Sequence, residues 1–384
     1  MAEAMAKKIK GDDSMADFKR SISESFFNNL YHSPEPESEE EKHESILHPF
    51  LERVWNDDTL NLEIRGKEVH IYHRGGTFLK IQERNDGTYK IELSENYYDE
   101  YYNKEKLDNL NGLIINNYED SEECLQYFPY MKDAMDLHFN NKKRYERAYQ
   151  QQIIRDNNHR LSGNSSYEIK RTELIDEGYI IDKKSNNSDY FIIDMEVTTK
   201  ESDDERVSKN QDKSFNGQPD LFGVKWKSNS RPTKTNLDLS FIELKFKKGS
   251  YSGDSGIIKH YKDVLNLVKN KETMNNIKNE LRVIFNQKRD LLILNNENHL
   301  ESFSDDIEFI LVLVNHKTNV KKSEDNETLM VILKELQKLH EESAPENLNL
   351  KIATSNFMGA ALQKESVYEI SEFINKFSDQ ISSN

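Results

Sequence analysis

The chain of 384 residues carries 53 Lys and Arg against 69 Asp and Glu. The resulting net charge of −16 excludes tight, indiscriminate wrapping of nucleic acid, because bulk repulsion opposes phosphate, but leaves room for a locally positive cleft or bound cations. Hydrophobic residues make up 35% and charged residues 32%, with 18 Tyr and 18 Phe to build a core, which fits a soluble α/β protein of one large domain or two modest ones.

Residues 1–44 read as a leader. Lys7, Lys8 and Lys10 have no apolar run behind them, which does not fit a secretory signal. Phe18, Ile22, Phe26, Phe27, Leu30 and Tyr31 then recur at helical spacing, and the acidic, proline-punctuated stretch from Pro34 to Glu44 reads as a solvated spacer. Across 45–130, Leu60–Arg65, Glu68–His73, Thr77–Gln82 and Thr88–Leu93 alternate apolar with polar residues. Arg65-Gly66, Gly75-Gly76 and Asp86-Gly87 are the turns between them. A small antiparallel N-terminal β domain is predicted, with His70, His73 and Arg74 on an exposed hairpin surface. Cys124 is the single cysteine. It excludes an intramolecular disulfide framework, suits a reducing cytoplasm, and is expected to be a small buried apolar residue. No apolar run approaches the ~20 residues of a membrane span, so no membrane partner is expected.

From Met131 the periodicity predicts one long helix over 131–163. Met131, Ala134, Met135, Phe139, Tyr149, Ile153 and Ile154 lie on its apolar face, basic residues line the rest, and Ser162-Gly163-Asn164 ends it. Taken alone, Glu146 on this helix is a surface glutamate pairing with Lys142, Lys143 or Gln150. Tyr179–Lys183 and Tyr190–Thr198 are predicted as the first strands of a larger domain over 131–384. Asp194 and Glu196 share one face there, the solvated side of an edge strand.

The stretch Gly217 to Lys245 carries the chemistry. Leu221–Trp226 and Leu239–Phe246 read as strands joined through Asn229, Ser230, Arg231 and Pro232, an irregular hairpin. Glu243 and Lys245 share one face of the second strand while Ile242 and Leu244 point into the core, and Asp220 opens the first strand behind Pro219. Two carboxylates and an ammonium therefore converge at one end of the hairpin. Hard oxygen ligands of this kind suit Mg²⁺ or Mn²⁺, which lowers the pKa of a bound water and neutralises charge on a phosphate. Lys245 would orient that water or help deprotonate it. Lys247, Lys248, Lys259 and His260 follow, the most basic neighbourhood in the chain and the candidate nucleic-acid contact. A turn through Gly253 and Gly256 leads into a helix beginning near Ile257, whose N-terminus offers an approach for phosphate. Helix over 271–300, an apolar central strand at Ile307–Val314, helix at Glu327–His340, strand at Leu348–Ala353 and a closing helix at Ser366–Phe377 complete the alternation.

Pro219-Asp220 followed by Glu243-Leu244-Lys245, with Ile242 before the Glu and a helix bearing His260 after it, resembles the signature of the PD-(D/E)xK nuclease superfamily over the middle third of the chain. The resemblance implies a restriction-endonuclease-like core, a mixed sheet flanked by helices, within 131–384. It implies Mg²⁺-dependent hydrolysis of DNA leaving a 5′-phosphate and a 3′-hydroxyl. The main-chain carbonyl of Leu244 is then a further metal ligand. Glu146 takes the place of the glutamate that a helix ahead of the catalytic strands contributes in some members. A role in bacterial antiviral defence or restriction follows by analogy. Cutting both strands of a duplex needs two sites, which points to a homodimer, and a protein activator stays open. The alternative is a catalytically inactive relative that binds nucleic acid or a protein partner.

Overall fold

A computed structural model describes residues 21–31, 45–142, 145–158, 188–195, 219–246, 251–253, 256–292, 294, 298–314, 324–355, 362 and 366–382. Among the described residues the chain is mixed α/β, with ten α-helices and two sheets. It forms two compact units. The first takes its described residues from 21–142 and 286–294, the second from 145–158, 188–285 and 298–382.

In the first unit, α1 (Glu24–Leu30) and α2 (His48–Trp55) precede a five-stranded antiparallel meander in the order β1-β2-β3-β4-β5. Its strands are Leu60–Arg65, Glu68–His73, Gly76–Glu83, Tyr89–Glu92 and Ile114–Ile115, the first four at or within a residue or so of the predicted runs. The β2–β3 turn holds Arg74 at φ 52° and Gly75 at φ 76°. Two successive positive φ values match the right-handed twist of the strands they join. α3 (Lys104–Asp108), α4 (Tyr118–Leu125) and α5 (Phe128–Lys142) complete the unit.

α5 packs on β3 with Phe128, Met131, Ala134, Met135 and Phe139 buried. A Cβ on Gly76 would come within 2.8 Å of both Met135 and Phe139, which is why a glycine starts that strand. Cys124 is fully buried, and burial pushes its thiol pKa up, as expected of a small core residue. His70 and His73 are buried rather than exposed: His73 Nε2 lies 2.9 Å from Asp136 on α5, and His70 Nε2 lies 2.7 Å from Glu68. Five consecutive residues of β2 are buried, so that strand has no wet face.

Of the predicted helix over 131–163, the described residues show helix to Lys142 (α5) and again over Tyr145–Asn157 (α6), the first segment in the first unit and the second in the second. The apolar stripe keeps one phase across both segments, because Phe139 and buried Gln150 are about three turns apart. The expected helix end at Ser162 to Asn164 and the expected strand Tyr179–Lys183 lie outside the described residues.

The second unit is built on a six-stranded mixed sheet in the order β11-β10-β9-β8-β7-β6. β6 (Tyr190–Met195), β7 (Leu221–Lys225) and β8 (Leu237–Phe246) are antiparallel neighbours. β9 (Phe303–Val314) runs parallel to both β8 and β10 (Leu348–Ser355), so the apolar run at 307–314 is the central parallel strand its composition predicts. α6 packs on β6 and β8, and α7 (Ile257–Lys269) on β8. α8 (Lys271–Leu292) and α9 (Glu324–Ser343) lie in the connections that bring the chain to β9 and β10. β11 (Val367–Glu369), absent from the sequence reading, pairs antiparallel with β10 just before α10 (Ile370–Ser382). Asp194 is fully buried within β6, which overturns its assignment to a solvated edge; Glu196 lies outside the described residues.

Candidate active site

The β7–β8 register places the candidate residues at one end of the sheet. Leu221 pairs with Ile242, and β7 begins there, so β8 runs on past its antiparallel neighbour. The backbone N–H of Leu244 would lose its ladder partner at this point. The carboxylate of Asp220 replaces it, with Oδ2 accepting from Leu244 N at 2.7 Å. One strand position on, Glu243 Oε1 accepts from Lys245 Nζ at 2.6 Å and lies 3.1 Å from His260 Nδ1 on the first turn of α7. Glu243 is 1% exposed and Lys245 3%.

The three predicted residues Asp220, Glu243 and Lys245 therefore meet at one end of the β7–β8 pair. Burial pushes the Asp220 carboxyl well above the usual carboxylate range, and the negative charge of Glu243 pushes it further. The Leu244 N–H and Lys245 act in the opposite direction. Glu146, half-buried on the first turn of α6, adds to the upward push, so it stands within electrostatic reach of Asp220. The side chain of Leu244 is buried in the core, as its position in the strand requires.

Lys259 is exposed and held by Asp263, 2.5 Å away and one helical turn on. His260 sits on Glu243. Lys247 and Lys248 lie outside the described residues. The N-cap of α7 is Gly256, which has no side-chain capping bond, and Gly253 adopts φ 82° in the turn before it.

Sequence reasoning missed Gln150. It is 3% exposed on α6, one turn beyond Glu146, and its Nε2 donates to Asp220 Oδ1 at 2.7 Å. The available signal was a polar residue inside the apolar stripe that runs through Phe139, Ile153 and Ile154.

The donor set suits a hard divalent cation. Glu243 Oε2 and Gln150 Oε1 are buried oxygens without a hydrogen-bond partner. Both of these unpartnered buried atoms are oxygens, the donor type that Mg²⁺ and Mn²⁺ take. Among the described residues, however, no group of three or more His, Cys, Asp and Glu is gathered closely enough to form a ready-made metal cage. Comparison with known proteins finds no counterpart: no family model, no curated protein and no solved structure matches the chain.

Proposed function

We propose that this protein is a Mg²⁺- or Mn²⁺-dependent nuclease of the PD-(D/E)xK type that hydrolyses DNA. The observation that carries the reading is the meeting of Asp220, just ahead of β7, with Glu243 and Lys245 of β8, where Asp220 bonds the Leu244 N–H and the two carboxylates act on each other. The mixed six-stranded sheet with packed helices supports a restriction-endonuclease-like core.

Asp220 and Glu243 would hold the metal, with Glu146 and the Leu244 carbonyl as the further ligands the family resemblance implies. When bound, such an ion lowers the pKa of a coordinated water and neutralises charge developing on the phosphate. Lys245 orients the attacking water and exchanges a proton at Nζ, and His260 holds Glu243 from the opposite side. Lys247, Lys248 and Lys259 hold the substrate backbone. Products are a 5′-phosphate and a 3′-hydroxyl, and the biological setting is bacterial antiviral defence or restriction in the cytoplasm, by analogy alone. Cutting a duplex calls for two copies of this site, hence a homodimer or a protein activator.

The test is cleavage of plasmid DNA in Mg²⁺ and in Mn²⁺. Wild-type protein should nick or linearise the plasmid, and Glu243→Ala should lower the rate about a thousandfold, the scale of removing transition-state charge stabilisation. Equal rates for the two proteins would overturn the assignment.

One observation favours a second reading, a catalytically inactive module that binds nucleic acid or a protein. Both Asp220 oxygens and Glu243 Oε1 already accept hydrogen bonds from the protein. That reading predicts salt-sensitive DNA binding with no turnover in either metal.

A further inference from the structure

Gln150 is a buried side chain whose chemistry the three-residue signature leaves unexplained. Its amide nitrogen donates to Asp220 Oδ1, while the other Asp220 oxygen accepts from Leu244 N. The oxygen of the same amide is then fixed a few ångströms from Asp220. It is buried and has no protein partner. Leaving a buried acceptor unsatisfied is costly, and native structures almost always fill it with protein, water or an ion.

Three features narrow that choice. The amide oxygen is a neutral, hard donor of the type that Mg²⁺ and Mn²⁺ accept alongside carboxylates. A second unpartnered buried oxygen is Glu243 Oε2, on the glutamate whose charge acts on the same Asp220. Glu146 lies one turn earlier on α6 and also acts on Asp220, so this face of the helix presents two oxygen-bearing side chains at i and i+4. An alanine or leucine at 150 would suit the apolar stripe better if packing were the only demand.

We infer that Gln150 is a ligand of the divalent ion through its amide oxygen, while its amide nitrogen holds Asp220 in place. The inference rests on the nuclease reading above. Its consequence is a site with two close carboxylates and one neutral oxygen from the same helix that bears Glu146.

The experiment measures Mn²⁺ and Ni²⁺ binding to the full-length protein, from the free-Mn²⁺ electron paramagnetic resonance signal and by calorimetry, for wild type, Gln150→Leu, Gln150→His and Glu243→Ala. Gln150→Leu should weaken Mn²⁺ about tenfold or more. A residue that only positions Asp220 would also weaken binding when removed, so Gln150→His separates the two roles. Imidazole in contact with the ion favours Ni²⁺ over Mn²⁺, and the Ni²⁺-to-Mn²⁺ affinity ratio should rise about tenfold over wild type. Mn²⁺ binding by Gln150→Leu within a factor of about two of wild type overturns the inference. So does Gln150→His lowering both metals by the same factor. If Gln150→Leu does not fold, Gln150→His alone carries the decision. Wild type that binds no Mn²⁺, or Glu243→Ala that binds it equally well, brings down the nuclease reading itself and Gln150 with it. Normal Glu243-dependent binding that is indifferent to Gln150 removes only the inference.

Discussion

Each unit contains a buried glutamate paired with a buried lysine, and the two pairs differ in what surrounds them. In the first unit Lys288 Nζ donates to Glu63 Oε1 at 2.7 Å with both side chains 0% exposed; in the second, Lys245 Nζ donates to Glu243 Oε1 at 2.6 Å. Both glutamates leave Oε2 buried and unpartnered. An orphan oxygen alone therefore does not mark a functional site. Glu63 accepts from Asn61 at 2.6 Å and lies across the β1–β2 ladder from His70, whereas Glu243 acts directly on the raised carboxyl of Asp220. Burial pulls the Lys288 pKa down, with Glu63 opposing, as for a buried charge held by a counter-ion. What sets Glu243 apart is the raised carboxyl of Asp220 beside it, an arrangement that costs stability and so calls for another explanation.

The sharpest way to break the comparison is to unpair Lys288. Lys288→Ala leaves Glu63 as an uncompensated buried charge and should cost about 3–5 kcal/mol in urea unfolding. Replacing both partners, Glu63→Leu with Lys288→Met, should recover most of that loss. Plasmid cleavage by the double variant should match wild type wherever both are folded.

A smaller effect comes from metal. Raising Mn²⁺ to about ten times its dissociation constant should stabilise wild type and Glu63→Leu by about 1.4 kcal/mol in thermal unfolding, and should leave Glu243→Ala unchanged. A metal response that followed Glu63 instead would reverse the roles assigned to the two pairs.

The smallest effect concerns a third pair, Asp57 with Lys132 at 2.8 Å, which is nearer the surface of the first unit. Burial raises the Asp57 pKa, but hydrogen bonds from Lys132 and Thr59 outweigh it and hold the carboxyl at about 2. A carboxylate depressed in the folded state contributes stability above its unfolded pKa near 4, and loses it as pH falls through the folded value. Asp57→Asn should therefore cost about 1 kcal/mol at pH 7, and the difference from wild type should vanish between about pH 4 and pH 2. A gap that persists at pH 2 would show that Asp57 acts through packing.

Much of this was legible in the chain because it is local. The meander strands are alternating runs separated by glycine turns, and the β7–β8 hairpin brings Asp220 to Glu243 by simple strand geometry. The parallel centre is equally plain from the unbroken apolar run at 307–314. What escaped depends on partners distant in sequence. His70 and His73 sit on a strand covered on both faces, and alternation cannot report a second covering layer. Asp194 looked solvated because its charge says so, yet burial is decided by the sheet and helix around it. Gln150 reaches Asp220 across 70 positions of chain, and its helical phase matches that of the apolar residues around it. The strand at Val367–Glu369 is three residues long, too short for any period to register.

The opposite end of β7 bears on all of this. There Glu308 accepts from Tyr190 at 2.7 Å and from Lys225 at 2.5 Å, joining β6, β7 and β9 through one buried carboxylate. A slip of one residue between neighbouring strands turns every side chain to the other surface of a sheet. This latch therefore fixes which way Asp220 and Glu243 look without touching either. A random hunt for inactive clones should return Tyr190, Lys225 and Glu308 as well, and a census of such hits would trace the sheet's alignment rather than outline the site.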